Sequence, residues 1–154
     1  PEILLQRLFV NNLEKHKKYD VFISHNSVDE KYVIDVYKDF NKYGLVAYVD
    51  WVSDKFDLKR TWCNVSTAKV IRERIRQCQC VVYIWSENIL NSQWCPWELG
   101  YADALGKSIC ILGLINESNI PQFYLSYPKL IRSNGKYYII NNGKVSFEDW
   151  LKQT

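Results

Sequence analysis

The sequence predicts an α/β fold in which a parallel five-stranded sheet carries helices on both faces. Short apolar segments of strand length alternate with segments of helical periodicity, and this alternation is typical of parallel strands joined by helices. The segment 81–84 is apolar throughout, as expected of a strand that is buried on both faces. With 154 residues, of which 47% are hydrophobic, the chain is large enough for one domain with its own core.

Local patterns predict each element in turn. The predicted strands are residues 19–24, 45–50, 80–85, 108–114 and 137–140. Helices are predicted from Ser27 to Gly44, and at about residues 67–77, 92–105 and 146–151. Ser27 and Glu30 have the spacing of a capping box and therefore predict a helix start. The segments 51–65 and 116–135 lack clear periodicity and are predicted to be loops.

The domain is expected to occupy residues 18–154, after an N-terminal helix or linker at residues 1–17. Apolar residues recur among polar ones in the first fifteen positions, and a basic run, residues 15–18, follows them. The chain begins at Pro1 and contains no Met. We therefore expect it to be a fragment of a longer protein.

Polar and aromatic residues concentrate at the ends of three predicted strands. A flavodoxin-like sheet of order 2-1-3-4-5 has its ligand crevice at the carboxyl ends of strands 1 and 3, where the order reverses. Strand 1 is followed by Ser24, His25 and Asn26, and strand 2 by Asp50 and Trp51. Strand 3 leads into the segment SQWCPWELGYADA, residues 92–104. The sequence therefore predicts a binding site at this edge of the sheet.

The residue types at this edge are those that a nucleotide site needs. A helix N-terminus after Ser24, His25 and Asn26 favours an anion such as a pyrophosphate. Trp94 and Trp97 offer flat faces for a base, and Glu98 lies one helical turn beyond Trp94. Each residue alone is more often structural: a loop histidine, a packed tryptophan, a surface glutamate. Only their convergence at one crevice favours a functional interpretation.

Several classes of function lack their sequence patterns. The chain has no G-x-G-x-x-G, no Walker loop, no G-x-S-x-G and no Cys/His cluster with zinc spacing, so neither a cofactor nor a metal is expected. A net charge of +3 without a concentrated basic face argues against nucleic acid, and no apolar run approaches membrane-spanning length. Five cysteines without a disulfide pattern predict a reducing, cytoplasmic compartment.

Three segments together resemble a TIR (Toll/interleukin-1 receptor) domain of the bacterial kind. They are YDVFISHNSVDE (19–30), YVDW (48–51) and SQWCPWELGYADA (92–104), which contains the family's W-x-x-x-E motif as Trp94 to Glu98. The resemblance covers about residues 19–140. It departs from the signalling adaptors of the family in the loop 51–65, which contains neither Gly nor Pro.

The resemblance implies an enzyme that cleaves NAD+ between nicotinamide and ribose. It implies that Glu98 is the catalytic residue, that the products are nicotinamide with ADP-ribose or a cyclic isomer, and that NAD+ is a substrate rather than a cofactor. Trp94 is then assigned to stacking or product choice, and Ser24 and His25 to the ribose or phosphate side. Asp50 and Trp51 open the BB loop that borders the pocket. Self-association through TIR–TIR contacts and a role in bacterial antiphage defence or virulence signalling are further expectations.

Two other functions fit parts of the same pattern. A non-catalytic TIR module would pair with other TIR domains through the loop 51–65 and nearby helices, without turnover. An enzyme similar to nucleoside deoxyribosyltransferases would also attack an N-glycosidic bond with a Glu, but the W-x-x-x-E cluster argues against it. Product analysis with NAD+ identifies the NAD-cleaving enzyme, whereas turnover of deoxynucleosides without turnover of NAD+ identifies the second alternative.

Overall fold

One seven-stranded sheet organises the part of the chain that the computed structural model describes, which is residues 18–49, 65–114 and 120–154. The strands are β1 (Tyr19–Ser24), β2 (Ala47–Tyr48), β3 (Cys78–Trp85), β4 (Ser108–Gly113), β5 (Lys129–Ser133), β6 (Lys136–Ile140) and β7 (Lys144–Ser146). They lie in the order β2-β1-β3-β4-β5-β6-β7. Pairing is parallel from β2 to β5 and antiparallel from β5 to β7.

The predicted α/β class and the order 2-1-3-4-5 are confirmed, but the strand count is wrong. The segment 129–133, predicted as part of a loop, forms β5. The segment predicted as strand 5, residues 137–140, lies in β6 and pairs antiparallel with β5. The two strands are joined through Asn134 and Gly135, whose φ angles are 51° and 72°. Positive φ at both loop residues is what a two-residue type I′ hairpin turn requires.

Four helices of the described residues cover the two faces of the sheet. They are α1 (Glu30–Lys42), α2 (Val65–Gln77), α3 (Trp94–Ala104) and α4 (Phe147–Lys152). The predicted capping box of Ser27 and Glu30 is wrong, because a 3₁₀ turn (Ser27–Asp29) precedes α1. The side chain of Asn26 caps that turn by accepting a hydrogen bond from the amide of Val28 at 2.9 Å. The Asn amide oxygen competes well for this position, since its short side chain reaches the amide two residues ahead.

The core has two layers because side chains alternate across the strands. Val21 and Ile23 of β1 belong to the layer that α1 and α4 cover, whereas Phe22 belongs to the layer under α2 and α3. The same alternation places Val82 in the first layer and Val81 in the second. A central strand whose residues are buried on both sides explains the apolar run that predicts β3.

A hydrogen-bonded group at the surface holds α1 against the antiparallel end of the sheet. The Asp39 carboxylate accepts a hydrogen bond from Arg132 Nε at 2.8 Å and from the Tyr137 hydroxyl at 2.7 Å. Burial raises the pKa of Tyr137 well above its usual value, and the hydrogen bond to Asp39 raises it further. Tyr137 therefore stays a neutral donor to Asp39 at neutral pH.

The N-terminal segment 1–17 and the greater part of the predicted loop 51–65 lie outside the described residues. The prediction of a helix or linker before the domain accordingly stays a prediction. Val65, the last residue of that predicted loop, is the first residue of α2. Within the described ranges, no helix combines the length and the apolar character that crossing a bilayer demands.

Candidate active site

The carboxyl ends of β1 and β3, where the sequence predicts the crevice, are neighbours at the point where the strand order reverses. Ser24 is the last residue of β1, and it pairs in register with Tyr83 of β3. Helix α3 begins beside the same edge, after β3 and a 3₁₀ turn (Glu87–Asn91). The chain therefore brings the end of β1 and the first turns of α3 to one place.

Ser24 and Glu98 are in direct contact inside the protein. Both residues have 0% exposed surface, and Ser24 Oγ donates a hydrogen bond to Glu98 Oε2 at 2.5 Å. Ser24 shares a sheet face with Phe22, two residues earlier, and this face is the one that α3 covers. A hydroxyl-to-carboxylate bond of this length is typical of a charge-assisted hydrogen bond.

Tyr83 adds a neutral hydroxyl near Glu98, and the sequence analysis did not select it. The Tyr83 hydroxyl is 3.2 Å from that of Tyr124, and the two rings stack with centroids 5.4 Å apart. Burial raises the pKa of Tyr83 well above its usual value; the hydrogen bond with Tyr124 and the charge of Glu98 raise it further. The signal that could have found Tyr83 is the alternation of β3, which places Tyr83 and Trp85 on one face.

His25, the residue after Ser24, is buried, with 1% of its surface exposed. Its Nδ1 lies 3.4 Å from the carbonyl oxygen of Ile23. Since a carbonyl oxygen only accepts, this contact as a hydrogen bond requires the proton on Nδ1.

Asn26 is half-buried, and both ends of its side-chain amide bond to the protein. Nδ2 donates to the carbonyl oxygen of Asn88 at 2.9 Å, while Oδ1 accepts from the amide of Val28. Asn88 belongs to the 3₁₀ turn after β3. Asn26 thus connects the two loops that border the crevice.

Trp94 and Trp97 pack against each other at the start of α3. Both are half-buried, and their rings meet edge to face with centroids 5.4 Å apart. Trp97 also stacks on Tyr101 with an interplanar angle of 7°, and the Arg72 guanidinium of α2 lies 5.2 Å from its centroid. Trp97 therefore packs α3 against α2. Trp94, the first residue of α3, lies nearest the carboxyl edge of the sheet.

The structure brings four of the eight predicted site residues together in two pairs. Ser24 and Glu98 form a buried hydrogen-bonded pair, and Trp94 and Trp97 form an aromatic pair on the same helix as Glu98. His25 is buried next to Ser24 along the chain. Asn26 lies on the loop that borders them. Asp50 and Trp51 fall outside the described residues, and their place in the site stays a prediction.

The family model described as TIR domain matches residues 21–144 of this chain. A protein of Bacillus cereus (strain MSX-D12) assigned as a 3′ cyclic ADP-D-ribose synthase, ThsB′, is 32% identical over 155 residues, covering 92% of this chain and 80% of the relative. A Cytobacillus dafuensis protein assigned as a cyclic ADP-D-ribose synthase, TIR2, is 38% identical over 127 residues. That match covers 80% of this chain, but the chain spans only 34% of the length of the relative.

Solved structures support the fold independently. The TIR domain of the Toll-related receptor TRR-2 from Hydra magnipapillata superposes with a TM-score of 0.57 at 20% identity, covering 73% of this chain and 84% of that domain. The CMP N-glycosidase BcmB of Clostridium botulinum superposes with a TM-score of 0.50 at 15% identity, covering 87% of this chain and 96% of that protein. At these identities the likeness concerns the fold alone. Because the family model spans residues 21–144 and the Bacillus cereus relative matches over most of both chains, this chain belongs to the TIR domain family.

Proposed function

We propose that this TIR domain cleaves the bond between nicotinamide and ribose in NAD+. The observation that carries the proposal is the Glu98 carboxylate, which is fully buried and hydrogen-bonded by Ser24, the last residue of β1, at 2.5 Å. Two relatives assigned as cyclic ADP-D-ribose synthases support it, and they favour a cyclic product. Bacterial antiphage defence or virulence signalling, in which such domains act, stays a prediction.

The reaction suits a site with one carboxylate. Nicotinamide leaves the cationic NAD+ ring system as a neutral molecule, so its departure requires no proton from a general acid. Breaking the bond at the anomeric carbon builds positive charge on the ribose, as in glycoside hydrolysis. A carboxylate already fixed by Ser24 stabilises this charge without reorganising during the step.

The second half of the reaction decides the product. A water that attacks the anomeric carbon gives ADP-ribose and releases one proton. An adenine nitrogen or a ribose hydroxyl of the same molecule gives a cyclic isomer instead. We assign Trp94 to stacking against the bound rings, because it begins α3 one turn before Glu98. His25 stays a prediction for the ribose or phosphate side, Asn26 stays a predicted substrate-binding residue, and Asp50 and Trp51 stay predictions for the loop that borders the pocket.

The proposal is tested by incubating the protein with NAD+ and measuring nicotinamide and the adenine-containing products by chromatography and mass spectrometry. We expect wild type to release nicotinamide and Glu98→Gln to lose at least about a hundredfold in kcat, because the amide keeps the shape and removes the charge. Glu73→Gln changes a half-exposed glutamate of α2 that pairs with Arg76, and it serves as the matched control with unchanged kcat.

The assay is run over a range of protein concentrations, since predicted TIR–TIR contacts would make activity depend on concentration. Release of nicotinamide that is equal in wild type and Glu98→Gln would overturn the assignment of Glu98. A wild type that releases none at any concentration, yet self-associates, would instead support the non-catalytic interaction module.

A further inference from the structure

A buried carboxylate joins the two loops that border the crevice. Asp29, at the end of the 3₁₀ turn after β1, has 5% of its surface exposed. Its Oδ2 accepts a hydrogen bond from Ser86 Oγ, and its Oδ1 accepts one from Asn88 Nδ2 at 2.8 Å. Ser86 and Asn88 follow β3, so one side chain of the first loop bonds twice to the second.

Asn26 makes two further hydrogen bonds to this group. Its side-chain Nδ2 donates to the backbone carbonyl oxygen of Asn88, and its backbone carbonyl oxygen accepts from the Asp29 backbone amide at 3.0 Å. Asn88 is thereby held through both its side chain and its backbone. We call Asn26, Asp29, Ser86 and Asn88 the loop clamp.

Like the contact between Ser24 and Glu98, the loop clamp connects the end of β1 and the loop after it to the chain that follows β3. Ser24 lies two residues before Asn26, and Glu98 follows Asn88 on the chain that leads into α3. A shift of the second loop relative to the first therefore displaces the carboxylate from the hydroxyl that orients it. Misplacement of a catalytic group by about 1 Å can cost about a hundredfold in rate.

We infer that Asp29 is a positioning residue for the proposed reaction: by holding the two loops together, it sets where Glu98 lies relative to the end of β1. This inference rests on the proposed function. It predicts that breaking the loop clamp lowers kcat much more than it raises KM, because the substrate's binding surfaces persist while the carboxylate moves. A residue that contributes only to stability would leave the kcat of the folded protein unchanged.

The experiment compares kcat and KM for NAD+ in wild type, Asp29→Ala, Asp29→Asn and Asp39→Ala. Asp39 is the matched control, because it also accepts two hydrogen bonds, from Arg132 and Tyr137, but at the far end of α1. We expect Asp29→Ala to lose about tenfold to a hundredfold in kcat and Asp39→Ala to keep the wild-type value. Asp29→Asn should recover most of the loss, since its amide can accept from Asn88 and donate to the Ser86 hydroxyl.

The outcomes separate this inference from the function on which it rests. An active wild type with unchanged kcat in Asp29→Ala overturns the positioning role alone, as does an equal loss in Asp39→Ala. A wild type that never releases nicotinamide overturns the proposed function and this inference with it. If Asp29→Ala does not fold, Ser86→Ala and Asn88→Ala each remove one arm of the loop clamp, and a wild-type kcat in both overturns the role.

Discussion

Glu98 occupies a position that stability alone would give to an apolar residue. Its neighbours on α3, Cys95, Leu99 and Ala102, are all buried in the layer under that helix. Burying an isolated carboxylate costs several kcal/mol, and the hydrogen bond from Ser24 offsets part of this cost. Functional sites often retain a charged residue in an apolar environment of this kind, although it costs stability.

Ser24→Ala tests whether that hydrogen bond serves the chemistry. The variant leaves Glu98 buried without this donor, so we expect kcat for NAD+ to fall about tenfold to a hundredfold. Steady-state kinetics of nicotinamide release measures the change. Ser27→Ala is the control, because Ser27 is an exposed serine three residues away and should keep the wild-type kcat. Equal kcat in wild type and Ser24→Ala would remove Ser24 from the proposed mechanism.

Topology, rather than either residue alone, predicts that Ser24 and Glu98 lie at the same edge of the sheet, and the structure shows them in contact. A strand end and a helix start that flank the switch point must lie close together, whatever their side chains. Topology does not indicate Tyr83 or Asp29. Tyr83 sits within an apolar run and is indicated only by alternation, whereas the two donors to Asp29 come from a loop whose path no local pattern specifies.

At the scale of elements, the hairpin of β5 and β6 shows why one strand was missed. Of the five residues of β5, only Leu130 is buried, so the segment lacks the apolar run that marks the central strands. The signal that was present is the pair Asn134 and Gly135, a strong short-range indication of a two-residue hairpin. The prediction of a loop over residues 116–135 rests on the lack of periodicity and takes no account of that pair.

Gly135→Ala tests the turn. With φ at 72°, an alanine at this position is strained although nothing lies within 4 Å of its Cβ, and we expect a loss of about 1 kcal/mol in the free energy of unfolding. Urea denaturation measures the change. Gly143→Ala is the control, because that glycine has no positive φ and equal open space, and it should be neutral or slightly stabilising. Equal effects of the two substitutions would contradict the assigned turn.

At the scale of the whole molecule, the sheet separates the core into two apolar layers, and the described cysteine side chains lie within these layers. All four described cysteines are free and buried, and a buried thiol packs as a small hydrophobic residue. Cys80 and Cys110 lie in the layer under α1 and α4, and Cys78 in the layer under α2 and α3. Loss of solvent is thus the main influence on their ionisation.

Stability should consequently fall at alkaline pH. Burial raises the pKa of Cys78, Cys80 and Cys110 far above the value of an exposed thiol, although Lys107 and Arg74 lower that of Cys78 in part. Below the unfolded-state pKa of about 8.5 both states bind the proton; above it only the folded state does. Each thiol then removes about 1.4 kcal/mol of stability per pH unit, and three remove about 4.

Urea melts in reducing buffer between pH 8.5 and 10 should show Cys110→Ala losing stability less steeply, by about 1.4 kcal/mol per pH unit. Parallel slopes for wild type and Cys110→Ala would mean that this thiol ionises equally in both states.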